Sequence, residues 1–396
     1  MKGLLTENLK LSGKKILLRL DLNVPLKDKS ITETNRIEKV IPTINFLLKK
    51  KSKIIILSHI GRPKGKVNPN LTLEPVSKKL SEILGTEVML IKDEINEKLT
   101  YKIDSIKNTS VIMLENIRFN KGEESNDKEF SKKLSSLGDI YVNDAFSCSH
   151  RLHASIEGIT KYIPSYFGLQ IAEEINALKK ITSEIKKPVT LIIGGSKIST
   201  KIKIINNLIK KFNNIVIVGG MANTMLKHTG SKVGKSICEN NCEALIKKIL
   251  ENSNKYNCKI ICPIDVVVSK NLEDVGKNKD IKEIDDDEMI LDIGPKTISS
   301  IKTVINNSNT VLWNGPAGYF ENSNFQNGTK QILEIISQKT KNDKMFSVAG
   351  GGETVAAINK FKKLDSFTFV STAGGAFLEH LEGKTLPGIK ALNQNV

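Results

Sequence analysis

Five cysteines in 396 residues are too few for a disulfide framework, and the odd number leaves at least one unpaired. A reducing, cytoplasmic setting fits that usage. No stretch approaches eighteen uninterrupted apolar residues, so no membrane-spanning helix is readable and no membrane partner is expected. The opening MKGLLTENLKLSGKK lacks the apolar core and small-residue cleavage site of a secretory signal. Aromatics are only 5% of the chain, which leaves little material for base-stacking platforms. A nucleic-acid partner is therefore not expected, although the formal net charge is +17. That surplus comes from lysine scattered along the whole length, which reads as a solvated surface that favours anionic small substrates. A basic nucleic-acid-binding protein is the alternative reading, and a steep salt dependence of binding would mark it.

Arginine is scarce, and its placement is informative. The five arginines, Arg19, Arg36, Arg62, Arg118 and Arg151, all lie in the first 151 residues. Random scatter would do this about once in 120 chains of this composition. In a sequence that uses lysine wherever a plain positive charge suffices, arginine marks positions where a planar fork is needed for carboxylate or phosphate. His59, His150 and His153 sit within three residues of these arginines. Some of the five could instead be core ion-pair residues.

The chain is too long for one ordinary core, and 39% hydrophobic residues are enough for two. Apolar runs alternate with longer, lysine-studded amphipathic stretches throughout. KKILLRLDL, KSKIIILSH, TSVIMLEN and DIYVND read as buried strands in the first half, with ETNRIEKVIPTINFLLKK as a helix between the first two. KPVTLIIGG, NNIVIVGG, CKIICPIDVVV, NTVLWNG, DKMFSVAGGG and SFTFVSTAGG read as strands in the second half. The rhythm is that of doubly wound parallel α/β sheets, whose ligand crevices lie at the carboxyl ends of the strands. QIAEEINALKKITSEIKK reads as a connecting helix, with the domain boundary near 170–185.

Arg19, Asp21 and Asn23, His59 and Arg62, Arg118, and Asn143, His150, Arg151 and His153 all fall at or just past strand ends. They predict an anion patch for a small molecule with several negative groups. In the second half, GGSKISTK places Gly194, Gly195, Lys197 and Lys201 directly after a strand, without Walker A spacing. LWNGPAGYFE offers Asn314, Pro316 and Glu321, the last as an acceptor for ribose hydroxyls. AGGGETVAA puts Gly350, Gly351, Gly352 and Glu353 at a strand-to-helix junction. There glycines admit phosphate, and Glu353 could hold Mg²⁺ or cap the helix dipole. The DDDE run at 285–288 reads as a solvated turn, and GSKVGKS as a turn rather than a phosphate loop. Cys238 and Cys242, and Cys258 and Cys262, have spacings used by zinc sites. The second pair, however, lies in a strand-like run that would hold the two about 13 Å apart. Zinc is not expected. The residues alone thus give an anion patch on one domain and a glycine-walled nucleotide surface on the other, an arrangement suited to phosphoryl transfer.

Taken together, RLDLNVP, SHIGRPKG, LENIRFN, NDAFSCSHRLHAS, GGSKISTK, LDIGPKT, LWNGPAGYFE, AGGGETVAA and STAGGAFLEHLEGKTLPGIKAL resemble the phosphoglycerate kinase family, in the family's order and along essentially the whole chain. The resemblance implies two Rossmann-like domains facing each other across a cleft. Residues 1–170 would form the 3-phosphoglycerate domain, 171–185 the connecting helix and 186–379 the nucleotide domain, with 380–396 packing back on the first. It implies phosphoryl exchange between 1,3-bisphosphoglycerate and ADP, giving 3-phosphoglycerate and ATP, with Mg²⁺ and hinge closure around the connecting helix and Ser371–Thr372. By motif position, Asp21, Asn23, Arg36, His59, Arg62, Arg118, Arg151 and His153 would bind the sugar acid. Gly195, Lys201, Gly219, Asn314, Pro316, Glu321 and Gly350, Gly351, Gly352, Glu353 and Thr354 would bind nucleotide, with Glu353 toward the metal. Arg36 and Lys197, helped by backbone N–H groups at Gly351 and Gly374, would stabilise the transferring group. A monomer is expected. The chain departs from the family's usual residues at Ser147 (Gly), Ala317 (a larger apolar residue), Glu353 (Asp) and Ala373 (Gly).

Overall fold

The computed structural model describes residues 3–28 and 30–394. The chain divides into two compact units, Met1–Asn176 with Thr385–Val396, and Ala177–Lys384. The division falls inside the helix Leu169–Thr182.

In the first unit the strands are β1 Lys15–Arg19, β2 Lys53–Leu57, β3 Val88–Ile91, β4 Val111–Leu114, β5 Ile140–Asn143 and β6 Ser165–Phe167. They form one sheet in the order β3-β4-β2-β1-β5-β6, with every pair parallel. The isoleucine- and leucine-rich β1 and β2 sit in its middle, and Ile16–Arg19 and all of β2 are buried. Such runs suit strands covered on both faces. The helix Asn35–Lys49 buries Ile37, Val40, Thr43, Ile44 and Leu47, a stripe at helical spacing that survives Pro42 in its interior. The C-terminal helix Pro387–Gln394 belongs to this unit, and Gly388 N donates to Ser149 O at 2.9 Å.

The second unit is built on β7 Val189–Ile193, β8 Asn214–Ile217, β9 Lys259–Ile261, β10 Thr310–Asn314, β11 Phe346–Gly350 and β12 Phe369–Ser371. Their order is β9-β8-β7-β10-β11-β12, again all parallel. This is the strand order of the doubly wound dinucleotide-binding sheet. Trp313 is fully buried in β10 and stacks on Phe367 at 6.0 Å.

In both sheets the connections from the central strand diverge to opposite sides, between β1 and β5 in one and between β7 and β10 in the other. Loops leaving the carboxyl ends there splay apart and open a crevice.

CKIICPIDVVV is not one strand. Pro263 lacks an N–H for the ladder and breaks the run. Lys259–Ile261 joins the parallel sheet, whereas Asp265–Ser269 is the middle of a separate antiparallel sheet with Lys277–Asp280 and Met289–Ile293. The acidic run is only partly solvated. Asp286 and Asp287 are exposed, but Glu288 is 5% exposed, and with Asp285 it grips Lys279 Nζ at 2.9 and 2.7 Å.

Candidate active site

In the first unit the loop after β1 carries Asp21 and Asn23. Asn23 Oδ1 accepts from Gly61 N at 2.9 Å, which ties this loop to the one after β2. Ser58 fastens the same two loops, accepting from Leu22 N at 3.1 Å and donating to Leu20 O at 2.9 Å. Arg36, in the first turn of its helix, donates through Nη1 to Asp21 Oδ2. The Ser147 hydroxyl donates to that same oxygen. Burial opposes ionisation of Asp21, yet Arg36, with Ser147 and Arg19, holds its carboxyl below the usual carboxylate range. Asn116, just past β4, caps the turn Ile117–Phe119 and donates to Ile60 O and Leu71 O. That turn delivers Arg118, whose Nη1 donates to Gly61 O at 2.9 Å while its Nε is buried without a hydrogen-bond partner.

His59 is 3% exposed, and burial with the Arg19 charge drives its pKa well below the usual value. His153 is held at about 4 by burial and Arg118. Both rings are therefore neutral at physiological pH. Arg62 and Arg151 are exposed, and among the described residues their side chains make no hydrogen bond or ion pair. These loops thus bring together two neutral histidines, two ion-paired arginines (Arg36 with Asp21, and Arg118 with Glu124 at 3.5 Å) and two guanidinium forks that have no partner among the described residues.

Arg19 is not part of that surface. It is fully buried beneath it, bonded to Ser155, Leu20 O and His59. This corrects its expected place in the patch. β1 is central, so its last side chain points into the protein rather than at the rim.

In the second unit, Gly195 to Lys201 run between β7 and the helix Ile202–Leu208. A Cβ at Gly194 would lie 2.2 Å from Pro316 O, so only glycine lets the loops after β7 and β10 meet. Lys201 Nζ donates to Asn314 Oδ1 at 2.6 Å, and Asn314 Nδ2 donates to Gly350 O at 2.6 Å, which links the ends of β7, β10 and β11. Burial lowers the Lys201 pKa, against the pull of Glu353 and Glu382. Lys197 is exposed, and its ammonium makes no hydrogen bond or ion pair among the described residues. Thr354 Oγ1 accepts from Gly315 N at 2.7 Å and closes the loop after β10 onto the helix Gly352–Lys360.

A cleft of about 390 Å³ opens over these strand ends. Gly195, Gly219, Ile237, Leu272, Met289, Pro316, Tyr319, Glu321 and Glu353 are among its lining residues. The size and mostly apolar lining suit one planar heterocycle with polar anchors at the rim. Asp292 also lines it. Its carboxylate accepts from Gly328 N and Ile293 N, and burial pushes its pKa up to about 7.

The family model for phosphoglycerate kinase matches residues 6–384. The chain belongs to the phosphoglycerate kinase family. It is 45% identical over 385 residues to the phosphoglycerate kinase of Chelativorans sp. (strain BNC1), covering 97% of each chain. It is 45% identical over 392 residues to that of Wolbachia pipientis wMel, covering 98% of each. The solved phosphoglycerate kinase structure from Coxiella burnetii superposes with a TM-score of 0.91 at 38% identity, covering 99% of both chains. That from Pyrococcus horikoshii OT3 gives 0.82 at 28% identity. The chain is accordingly a glycolytic transferase acting between 1,3-bisphosphoglycerate and ADP in the phosphoglycerate kinase reaction, and its family uses Mg-nucleotide. No described helix is long and apolar enough to cross a membrane.

Asp21 pairs with Arg36 and has His59 within 4.8 Å, Asn23 and Arg118 both bond the Gly61 backbone, and Arg62, Arg151 and His153 follow on the adjoining loops. Gly195, Gly219, Pro316, Glu321 and Glu353 line the cleft of the second unit, while Asn314 and Lys201 brace its floor. Sequence reasoning missed the Ser147 bond to Asp21 and the place of Asp292 in the cleft. The departure from glycine at 147 was the signal for the first. Asp292 lies in the LDIGPKT block, which was singled out but given no site role.

Proposed function

We propose that the crevice of the first unit binds the triose ligand. Arg62, Arg118 and Arg151 would hold its phosphate, Asp21 and Asn23 its hydroxyl, and Arg36 its reacting carboxyl end, with His59 and His153 as neutral donors. The observation that carries this is the pair of forks at Arg62 and Arg151 that have no partner among the described residues, in a chain that spends only five arginines. A planar fork binds tetrahedral phosphate through two donors at once, which lysine cannot do.

In the second unit the nucleoside would occupy the cleft, with Glu321 accepting from the ribose. The phosphates would run along Gly195, Lys201, Gly219 and the Gly350–Thr354 turn. Glu353 is exposed in the first turn of its helix and makes no hydrogen bond or ion pair among the described residues. One free carboxylate beside a phosphate path suits Mg²⁺, which takes oxygen ligands and keeps several waters. When bound, the ion would neutralise phosphate charge. The protein's own contribution to the transfer is positioning and charge. Lys197 and Arg36 would each donate to oxygens of the migrating group, and the N–H groups at Gly351 and Gly374 would add fixed dipoles. No general base is needed, because the accepting oxygen is already anionic. The activity requires both ligands within bonding reach at once, so water must be excluded while the acyl phosphate is held.

All five cysteines are free thiols, which supports a reducing cytoplasm as the working compartment. A coupled assay of 3-phosphoglycerate-dependent ATP consumption tests the assignment. Arg62→Gln and Arg151→Gln should each raise KM for 3-phosphoglycerate at least tenfold while leaving KM for ATP near wild type. An equal effect on both substrates would reject the triose pocket as drawn.

A further inference from the structure

We infer that Arg19 is a positioning residue that locks His59 into one neutral tautomer, with the proton on Nε2, so that the ring meets the triose ligand as an N–H donor. The deduction starts from one contact. Arg19 Nη2 lies 3.2 Å from His59 Nδ1. A guanidinium has five donors and no acceptor and does not lose its charge in proteins, so Nδ1 must offer a lone pair. The ring proton is then on Nε2. Among the described residues the ring makes no other hydrogen bond, which leaves Nε2–H for a ligand.

The lock is rigid because every arm of Arg19 is held. Nε donates to Ser155 Oγ at 2.8 Å, and Nη1 donates to Leu20 O. Ser155 is fixed in turn by Glu123, through Oγ to Oε1 at 2.7 Å and N to Oε2 at 2.9 Å. Arg19, Ser155 and Glu123 are all fully buried. A buried carboxylate thus orients a serine, the serine an arginine, and the arginine the site histidine. This is the logic by which outer partners set a histidine's tautomer in other sites. The charged groups acting on the ring are Arg19, Arg36 and Arg118, which oppose protonation, and Asp21, which favours it. The Cys148 thiol also lies within 4.8 Å of the Asp21 and His59 donor atoms. A second cation at His59 would therefore be costly, and a neutral donor still binds the anion.

The purpose of the lock rests on the triose reading of this crevice, but the tautomer can be read without substrate. Long-range ¹H–¹⁵N spectra of the full-length, ¹⁵N-histidine-labelled protein would be recorded from pH 5.5 to 8, with His59→Gln used to assign the His59 signals. The expected result is a pyridine-type Nδ1 and a pyrrole-type Nε2 that do not titrate over this range. A protonated Nδ1, a mixture of tautomers or an ordinary histidine titration would overturn the inference whatever ligand binds. Adding 3-phosphoglycerate should shift Nε2 more than Nδ1. A neutral, Nε2-protonated ring that ignores the ligand would overturn the donor role together with the triose reading. Arg19→Lys, which loses the fork, should give mixed tautomers and about a fivefold higher KM for 3-phosphoglycerate, with KM for ATP unchanged. Wild-type nitrogen shifts in that variant would also count against the lock.

Discussion

Arg36→Lys separates charge from geometry at the proposed reacting end of the triose ligand. Arg36 is about one-third exposed and spends one nitrogen on Asp21 Oδ2, the oxygen that also receives the Ser147 hydroxyl. A lysine could still pair with Asp21, but its single ammonium cannot serve the carboxylate and the migrating group in the same fixed plane. The ground state would change little, because Asp21 keeps Ser147 and a cation. A partly exposed pair of this kind is worth about 1 kcal/mol or less to folding. The loss falls on a charge-assisted hydrogen bond made in the transition state, about 2 kcal/mol, which corresponds to a roughly 30-fold lower kcat. The coupled assay at saturating 3-phosphoglycerate and ATP measures it directly, with thermal unfolding run alongside. A kcat within twofold of wild type in a normally folded variant would refute the reasoning and remove Arg36 from the transfer step.

Glu353→Asp should retain or improve activity, and a titration of rate against Mg²⁺ should show equal or lower half-saturation. Total loss would mean that the site is built around the longer side chain. Gly351 has φ +98°, and a Cβ there would lie 2.4 Å from Asn314 Nδ2. Gly351→Ala should therefore break the bridge from Asn314 to Gly350, cost about 1–3 kcal/mol of stability and lower kcat/KM for ATP at least tenfold. Asp292 supplies a pH dependence. Its folded-state pKa is raised to about 7 by burial, so the folded chain keeps a proton that the unfolded chain releases near pH 4. Its contribution to the second unit's stability is then greatest below pH 4 and is lost as pH rises through 7, by up to about 4 kcal/mol. Urea unfolding followed by the single, fully buried Trp313 should report that loss between pH 5 and pH 8. A flat profile, or one that rises, would contradict the burial argument.

The strands that position both sites were legible because central parallel strands are covered on both faces and need continuous apolar runs. KIIIL in β2 and VTLII in β7 can hardly be anything else. Glycine pairs after such runs marked turns that line the cleft of the second unit. β3 and β6 were not foreseen, and the break at Pro263 was read through as one strand. Arg19 shows the limit most clearly. Its neighbours Asp21 and Asn23 lie in the loop past β1, whereas Arg19 is still inside that central strand and is buried with it.

Composition, the confinement of arginine to the first 151 residues and the strand–glycine rhythm pointed to the fold class and the type of chemistry, and the resemblance of the motif blocks, in their order, pointed to the family. These are properties of single positions and their spacing along the chain, and each residue carries them whatever its neighbours are. What only the tertiary structure decided is which polar atoms are left over. Among the described residues Arg62, Arg151 and Lys197 end without protein partners, while Arg19, Ser155 and Glu123 consume one another in the core. Asp292 is desolvated by side chains that reach it from elsewhere in the chain. Hydrogen-bond saturation and burial depend on groups far apart in sequence, and they take their values only once the sheets have closed around them.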